Sequence, residues 1–154
     1  LVAGSGQGDY AASLSSAFPA ETTRFLGWTD PNDFFPEIDV LVVPSLFQEP
    51  FGRVIVEAFA HGVPVIGARS GGIAETIDDG VNGISVPPGD ASALAAAIGR
   101  LADDRDAVAR FSTGALASAR RYLPPVLAAS YGELFERLVR RRGVPSLAAQ
   151  EVSR

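Results

Sequence analysis

The sequence predicts an α/β fold built on a doubly wound parallel sheet. Short apolar runs alternate with helical segments five times at the spacing of βα units, the pattern of parallel strands joined by crossover helices. The run over residues 39–43 is almost entirely apolar, as expected for a parallel strand that is covered on both faces. With 154 residues, the chain is long enough for one domain with its own core.

Glycine or proline follows each predicted strand within three residues, and these residue types stop strands and start turns. The first strand leads into a glycine-rich turn at residues 4–8, the second closes at Gly27, and the third stops at Pro44. The predicted strands are residues 1–3, 22–26, 39–43, 64–68 and 82–86.

The helices are predicted from apolar spacing and from capping residues. Asp30 before Pro31 matches an N-cap followed by proline at the first helical position. Asp90 precedes a helix rich in alanine and leucine, and Gly62 ends the helix that begins near Gly52. The predicted helices cover residues 9–18, 31–38, 52–62, 72–78, a stretch from 90, 104–122 and 125–142. Residues 1–143 form the predicted domain, and 144–154 a flexible tail.

The composition excludes several classes of protein. The net charge is −5 and the only basic run is the arginine-rich segment 137–142, so no nucleic-acid partner is expected. The absence of cysteine and the presence of one histidine exclude disulfides, thiolate metal sites and a histidine cluster for metal. No apolar stretch reaches the ~18 residues of a spanning helix. We expect no signal peptide before the domain, and a cytoplasmic protein is predicted.

Two further absences concern the extent and chemistry of the chain. There is no methionine, and the chain opens on Leu1 inside a predicted strand, so we interpret it as a piece of a longer protein or as a processed chain. All 13 basic residues are arginine, so no lysine of this chain can take part in catalysis. The arginines of residues 137–142 are interpreted as a solvated helix face.

Two glutamates in the stretch "EPFGRVIVE", Glu49 and Glu57, are unusual in their placement. Glu49 lies in a loop after an apolar strand, and Glu57 lies within an apolar helix. The strand ends of a parallel sheet are where ligands bind. The free N–H groups of residues 52–54, at the start of that helix, would form an anion site suited to a pyrophosphate. Glu57 would lie about 7 Å further along the helix at its rise of ~1.5 Å per residue.

Carboxylates are poor ligands for phosphate but good acceptors for pairs of hydroxyl groups. Two glutamates that flank a phosphate-binding helix start would therefore suit a nucleotide sugar, held by its ribose and by its second sugar. The alternative for Glu57 is a carboxylate that reaches solvent from a partly exposed helix, and Glu49 has the same alternative as a loop residue. The spacing alone leaves both interpretations open.

The same residues resemble the E-x7-E signature of the retaining GT-B glycosyltransferases of family 4. The segments "VAGSGQGD", "DVLVVPS" and "EAFAHGVPVIGARSGGIAETIDDGVNGISVPPGD" also resemble the carboxyl-terminal domain of that family. The resemblance covers about residues 1–125. It implies a Rossmann-like sheet that is one half of a GT-B fold and that binds the nucleotide-sugar donor.

The resemblance implies a role for each site residue. Glu49 would contact hydroxyls of the transferred sugar near the reaction centre, as the catalytic position, and Glu57 would bind the ribose hydroxyls. Backbone amides would hold sugar and phosphate oxygens, and a turn would carry the nucleobase. The amide segment is Pro50, Phe51, Gly52, Arg53 and Val54, and the turn is Gly27, Trp28 and Thr29.

The chain also departs from the family. The arginine and lysine that clamp the pyrophosphate in relatives precede the "VAGSG" strand, and neither they nor the amino-terminal acceptor-binding domain is present. Transfer to an acceptor hydroxyl with retention is therefore expected only of the full-length protein, and this piece alone is expected to be inactive. No metal or other cofactor is expected. An acceptor carried on a lipid, as many relatives use, would bring the protein to a membrane surface.

Several other candidates are weaker. The segment 4–9 partly matches the dinucleotide fingerprint G-x-G-x-x-G, but its last position is Asp9 and the acid of the second strand is missing. His61 suits a helix C-cap better than a base, and Glu75, three residues after Gly72, suits a capping arrangement. Trp28 fits the core as well as it fits base stacking. Arg53 and Arg69 are within reach of a phosphate, although Arg69 fits a surface position better.

Two alternative functions fit the same fold. One is a non-catalytic α/β nucleotide-binding module with a regulatory role, and the other is a sugar-nucleotide epimerase on the GT-B scaffold. A transferase or an epimerase would bind a sugar nucleotide far more tightly than the bare nucleotide, whereas a plain nucleotide sensor would not.

Overall fold

The computed structural model describes residues 1–4, 13, 14 and 16–141. Within these residues it is an α/β protein in which every strand pairing is parallel. The strands are β1 (Val2–Ala3), β2 (Phe25–Gly27), β3 (Leu41–Val43), β4 (Val65–Ala68) and β5 (Gly83–Val86). The α-helices that are described from end to end are α1 (Pro31–Phe34), α2 (Arg53–Ala60), α3 (Gly72–Thr76), α4 (Ala91–Asp103), α5 (Arg105–Ala119) and α6 (Pro124–Arg141). The α/β class with parallel strands is confirmed.

The five strands form two hydrogen-bonded sheets, β1–β2 and β3–β4–β5. In the larger sheet Val42 is in register with Ile66, and Ile66 with Ile84. The strand β4 lies in the middle, and all four of its residues are buried. The carboxyl ends of parallel strands lie at the same edge of a sheet. The loops that follow β3, β4 and β5 therefore emerge side by side.

Helices cover β4 on both faces, and alternate residues of the strand enter different clusters. Val65 packs with Ile55, Phe59 and Ile73, which come from α2 and α3. The next residue, Ile66, packs with a second buried cluster from the other side. The residues of that cluster are Val86, Ala97, Leu101, Ala107 and Phe111.

The expectation that the strand over residues 39–43 is covered on both faces is confirmed for most of its length: Leu41 and Val43 pack against the first cluster and Val40 against the second. Val42 is 37% exposed, and β3 is an edge strand of its sheet. The apolar run alone does not distinguish an edge strand from a central one, because both present branched apolar side chains to their covered face.

The predicted caps are largely confirmed. The Asp30 carboxylate accepts hydrogen bonds from the backbone and side-chain nitrogens of Asn32 at 2.8 and 2.9 Å. The Asp90 carboxylate accepts from the Ala93 amide at 2.9 Å. These bonds satisfy amides that a helix start leaves without partners, which is why both helices begin where the sequence predicts.

Fewer of the predictions fall on described residues at the two ends of the chain. The glycine turn at residues 5–8, Asp9, Tyr10 and the tail 144–154 lie outside the described residues. Residues 13, 14, 16 and 17 are helical, and Phe18 lies against Phe25 with ring centroids 6.3 Å apart. In the part of the chain that the structure describes, none of the helices is long and apolar enough to cross a membrane.

The last helix, α6, has no buried residue in this chain. Tyr131 and Phe135 of this helix are 59% and 61% exposed. The arginines 137, 140 and 141 are also exposed, and Arg140 pairs with Glu136 at 2.9 Å. This agrees with the predicted solvated arginine face, apart from Arg142, which lies outside the described residues.

Two side-chain contacts connect α5 to residues that lie next to strands of the larger sheet. The buried Asn82 side chain donates to the Ser118 hydroxyl at 3.0 Å and accepts from the Asp78 amide at 2.9 Å. Arg105 pairs with Asp39 at 3.1 Å, and this hydrogen bond raises the pKa of Arg105 above its ordinary value. The position of α5 matters for the site because this helix supports α2.

Replacing Gly114 with alanine should lower the free energy of unfolding by about 1–3 kcal/mol, because an overpacked contact forces the backbone to shift. A Cβ atom at Gly114 of α5 would lie 2.0 Å from the carbonyl oxygen of Val81. Gly99 of α4 is the matched control, since a Cβ there meets nothing within 4 Å. Gly99→Ala should be stabilising by about 0.5–1 kcal/mol. Urea unfolding of both variants measures the difference, and equal effects would contradict the packing of α5 on Val81.

Candidate functional site

The N-cap of helix α2 is Gly52, which has no side chain that could cap the helix start. Gly52 has φ 75° and ψ 52°, the left-handed conformation that glycine adopts without strain. Its carbonyl accepts from the Ile55 amide at 2.9 Å. In the described part of the chain, the amides of Arg53 and Val54 have no acceptor. The positive end of the helix dipole therefore presents free N–H groups to solvent, an arrangement that favours an anion.

The other end of α2 is closed by a glycine turn. The amides of Gly62 and Val63 donate to the carbonyls of Phe59 and Ala58 at 3.0 and 2.9 Å, the two bonds of a Schellman motif. The His61 Nδ1 lies 2.9 Å from the Glu57 carbonyl oxygen. The interpretation of His61 as a C-cap is therefore confirmed.

The loop of residues 44–51, called the Glu49 loop here, connects β3 to α2. Glu49 is partly buried in this loop, and among the described residues its carboxylate makes no hydrogen bond or ion pair. Leu46 and Phe47 are 76% and 64% exposed, so the loop is not anchored by burying them. Phe51 makes an edge contact with Tyr122 at a ring-centroid distance of 5.7 Å.

The loop after β4 supports the Glu49 loop through its backbone. The Ser70 hydroxyl donates to the Phe47 carbonyl at 2.9 Å, and the Gly72 amide donates to the Glu49 carbonyl at 2.7 Å. Gly71 has φ 52° and ψ −135°. A Cβ atom there would lie 2.4 Å from the Glu49 carbonyl oxygen, so only glycine fits.

Sequence reasoning missed the role of these three residues. The sequence analysis placed Arg69 within reach of a phosphate but gave Ser70, Gly71 and Gly72 no contact with the Glu49 loop. The signal that was available is the run of a small hydroxyl residue and two glycines at a strand end, a composition that permits close approach of two backbones.

Glu57 is partly buried on α2 and forms an ion pair with Arg53 one turn earlier. The Arg53 Nε lies 3.0 Å from the Glu57 Oε1, with 32% of the glutamate side chain and 86% of the arginine side chain exposed. Arg53 uses one donor on one oxygen, so lone pairs on both carboxylate oxygens stay available to hydroxyl groups.

The turn at residues 27–29 lies at the carboxyl end of β2. Gly27 has φ 67°, and the Thr29 hydroxyl donates to the Gly27 carbonyl at 3.4 Å. Trp28 is 76% exposed, which excludes a core position for its ring in the described part of the chain. Among the described residues, no hydrogen bond or ion pair joins this turn to residues 49–57.

The capping role expected of Glu75 is wrong. The N-cap of α3 is Gly71 rather than Gly72, and no side chain caps this helix start. Glu75 is therefore four residues from the N-cap, too far along for a capping box. Its neighbour Thr76 instead donates to the Gly72 carbonyl at 2.7 Å. Arg69 is exposed, in agreement with its predicted surface position.

Acidic side chains do not gather into a metal site in the described residues: no three of His, Asp or Glu lie close enough to hold an ion. The expectation of no metal was based on the absence of an Asp-x-Asp motif, and this premise is wrong, because the chain contains one such triplet, Asp104–Asp106. Its first carboxylate caps α5 by accepting from the Ala107 amide at 2.8 Å, and also approaches Arg110 at 3.7 Å.

Glu49 and Glu57 line neither of two clefts found among the described residues. One runs along α6 beside Arg137, and the other, of about 330 Å³, is lined by residues that include Asp39, His61 and Arg105. The helix start and the two glutamates form an open surface on this chain, which suits one wall of a site better than a closed pocket.

Comparison with known proteins gives the family. The model of the family "Glycosyl transferases group 1" matches residues 1–104. The chain belongs to the glycosyl transferases group 1. A D-inositol 3-phosphate glycosyltransferase of Corynebacterium kroppenstedtii is 36% identical to this chain over 121 residues. The match covers 77% of this chain and 27% of the relative. A second, from Streptomyces griseus, is 41% identical over 106 residues, 67% of this chain and 22% of the relative. The chain spans about a quarter of the length of these relatives.

Proteins of known structure share the fold of this chain. The Anabaena protein Alr3699/HepE in complex with UDP superimposes with a TM-score of 0.81 at 29% identity, over 88% of this chain and 40% of that one. The same protein in complex with UDP-glucose gives a TM-score of 0.73 at 32% identity, over 77% and 35% of the two chains. These neighbours confirm that the chain is part of a GT-B glycosyltransferase fold.

Proposed function

We propose that this chain is the donor-binding part of a retaining glycosyltransferase that transfers a sugar from a nucleoside diphosphate to an acceptor hydroxyl. One observation carries the proposal: the free amides of Arg53 and Val54 are flanked by two carboxylates, and the Glu49 carboxylate has no partner in the described part of the chain. An anion site between two hydroxyl acceptors fits a diphosphate between two sugars.

Each group of the donor then has a place. The diphosphate lies at the amides of residues 52–54, the ribose hydroxyls donate to Glu57, and the transferred sugar donates to Glu49. Pro50 and Phe51 carry the backbone between the sugar and the phosphates. The nucleobase lies against the Gly27-Trp28-Thr29 turn, where the exposed Trp28 ring offers a face for stacking.

The charges on α2 support a binding role for Glu57. Arg53 lies at the positive end of the helix and Glu57 lies towards its negative end. Helix dipoles favour the opposite placement, and an i,i+4 pair with the acid second is the less stabilising order. The pair therefore adds little to helix stability, which leaves ligand binding as the better account of the carboxylate.

The proposed chemistry is electrostatic. Amides and the dipole of α2 stabilise the charge that develops on the departing diphosphate, and preorganised donors of this kind give large rate effects. Glu49 holds the sugar so that the acceptor hydroxyl can attack from the right direction. A second domain brings the acceptor and closes the cleft against water.

The donor is proposed to be a uridine diphosphate sugar. The Anabaena protein Alr3699/HepE, which resembles this chain over most of its length, has been solved in complex with UDP and with UDP-glucose. UDP and UDP-glucose are therefore the probes for the experiments below, and transfer with retention is tested by the anomeric configuration of the product of the full-length protein.

Removing divalent cations should leave UDP-glucose binding unchanged, because the positive charge at the site comes from amides and the helix dipole. Titration calorimetry in the presence of magnesium, of manganese or of a chelator measures the affinity. A loss of more than tenfold with the chelator would contradict the proposed metal-independent site.

The chain by itself is expected to fold, to bind UDP weakly and to transfer no sugar. It has two buried clusters of its own around β4, but amides and one ribose clamp supply little more than the ~4 kcal/mol that corresponds to millimolar affinity. We expect a dissociation constant of about 0.1 mM or weaker. Product formation from UDP-glucose and simple acceptors is the assay, and robust turnover by residues 1–154 would contradict the proposed division of labour between two domains.

A further inference from the structure

The Glu49 loop depends on its backbone for its position. Its apolar residues Leu46 and Phe47 are exposed, and in the described residues the Glu49 carboxylate makes no bond that could hold the loop. The ring contact of Phe51 with Tyr122 anchors only the end next to α2. A displacement of the loop would move the Glu49 carboxylate, because no hydrogen bond or ion pair to another described residue fixes that side chain.

Ser70 is the side chain that anchors the first half of this loop. Its hydroxyl donates to the Phe47 carbonyl at 2.9 Å, across 23 positions of sequence. Ser70 is only 9% exposed, so water competes poorly for this bond. The second anchor, from the Gly72 amide to the Glu49 carbonyl at 2.7 Å, is made by backbone alone.

The Ser70 hydroxyl does not cap the helix that follows it. A serine near a helix start usually accepts a hydrogen bond from an amide of the first turn. Here Gly71 is the N-cap of α3, without a side-chain cap, and Ser70 contributes only its carbonyl to that turn, which accepts from the Ile73 amide at 3.2 Å. The hydroxyl serves the Glu49 loop instead.

We propose that Ser70 is a positioning residue for the transferred sugar: by holding the Phe47 carbonyl it places Glu49, and so sets the affinity for the sugar part of the donor without touching the donor. This inference rests on the proposed function of Glu49. It predicts that loss of the hydroxyl weakens UDP-glucose and spares UDP, because UDP does not reach Glu49.

The test is the ratio of UDP to UDP-glucose dissociation constants for Ser70→Ala. The UDP-glucose affinity should fall about three- to tenfold, the effect of one net hydrogen bond, while the UDP affinity should stay within about twofold. Ser118→Ala is the matched control. Ser118 is 8% exposed and its hydroxyl bonds Asn82 at 3.0 Å, so this variant should lose stability and keep the wild-type ratio.

Equal losses for the two ligands, or no loss, in Ser70→Ala would overturn the proposal, since a merely structural serine would not change the ratio. Should Ser70→Ala not fold, Ser70→Cys keeps the size of the side chain with a weaker donor, and its ratio decides in the same way. Glu49→Gln separates the two levels of the argument. If Glu49→Gln leaves the ratio unchanged, the proposed role of Glu49 is wrong and the proposal for Ser70 is overturned with it. If only the serine variants leave the ratio unchanged, the role of Glu49 stands and the role of Ser70 is wrong.

Discussion

Glu57→Gln should weaken the binding of UDP roughly ten- to a hundredfold, because each hydrogen bond to a charged group contributes about 1.5–3 kcal/mol. The carboxylate is proposed to accept both ribose hydroxyls, and glutamine has one acceptor oxygen and no charge. The loss should be the same for UDP and UDP-glucose, which share the ribose. Calorimetric titration of both ligands measures it.

The chain offers a close control for this change. Glu136 of α6 forms an i,i+4 ion pair with Arg140 at 2.9 Å, as Glu57 does with Arg53 at 3.0 Å. Glu136→Gln should leave UDP binding unchanged. Glu49→Gln should weaken UDP-glucose only. Equal effects of Glu49→Gln and Glu57→Gln on both ligands would contradict the assignment, and a Glu57→Gln variant that is more stable and binds normally would make Glu57 an ordinary surface carboxylate.

Gly71→Ala should destabilise the domain by about 2–6 kcal/mol, because a strained backbone and an overpacked contact each cost about 1–3 kcal/mol. Gly71 combines φ 52° with a Cβ position 2.4 Å from the Glu49 carbonyl oxygen. Relief of that contact requires the Glu49 loop to move away from β4. The free energy of unfolding in urea measures the loss.

Gly80→Ala distinguishes the two sources of this destabilisation. Gly80 has φ 78°, and a Cβ there meets nothing within 4 Å. Alanine at Gly80 should therefore cost only the left-handed conformation, about 1–2 kcal/mol. A cost at Gly71 no larger than that at Gly80 would show that the loops after β3 and β4 are not in the close contact described above.

Helix α2 shows what could be predicted from the sequence. Glycines at 52 and 62 bound it, and the structure places its first and last residues at Arg53 and Ala60. The ion pair of Arg53 with Glu57 also follows from i,i+4 spacing, although sequence reasoning considered Arg53 only as a phosphate ligand. Local rules sufficed here because caps and i,i+4 neighbours are set within one or two turns of chain.

The contacts of Ser70 show what could not be predicted. Its partner, Phe47, is 23 positions away, and their meeting depends on the pairing of β3 with β4 in register. The edge position of β3 could not be predicted for a related reason, since only the sheet order shows it. The prediction of a capping role for Glu75 is wrong because the N-cap is Gly71 and not Gly72. This shift of one residue changes the spacing on which a capping box depends.

The central claim is that the start of α2 binds the diphosphate of a sugar nucleotide, and an NMR titration of the ¹⁵N-labelled chain with UDP-glucose tests it most directly. The claim predicts the largest amide shifts at Gly52, Arg53 and Val54, the residues at the positive end of the helix, with smaller shifts at Glu49 and Glu57. Shifts centred instead on the cleft that Asp39, His61 and Arg105 line, or saturating shifts that leave residues 52–54 unmoved, would contradict it.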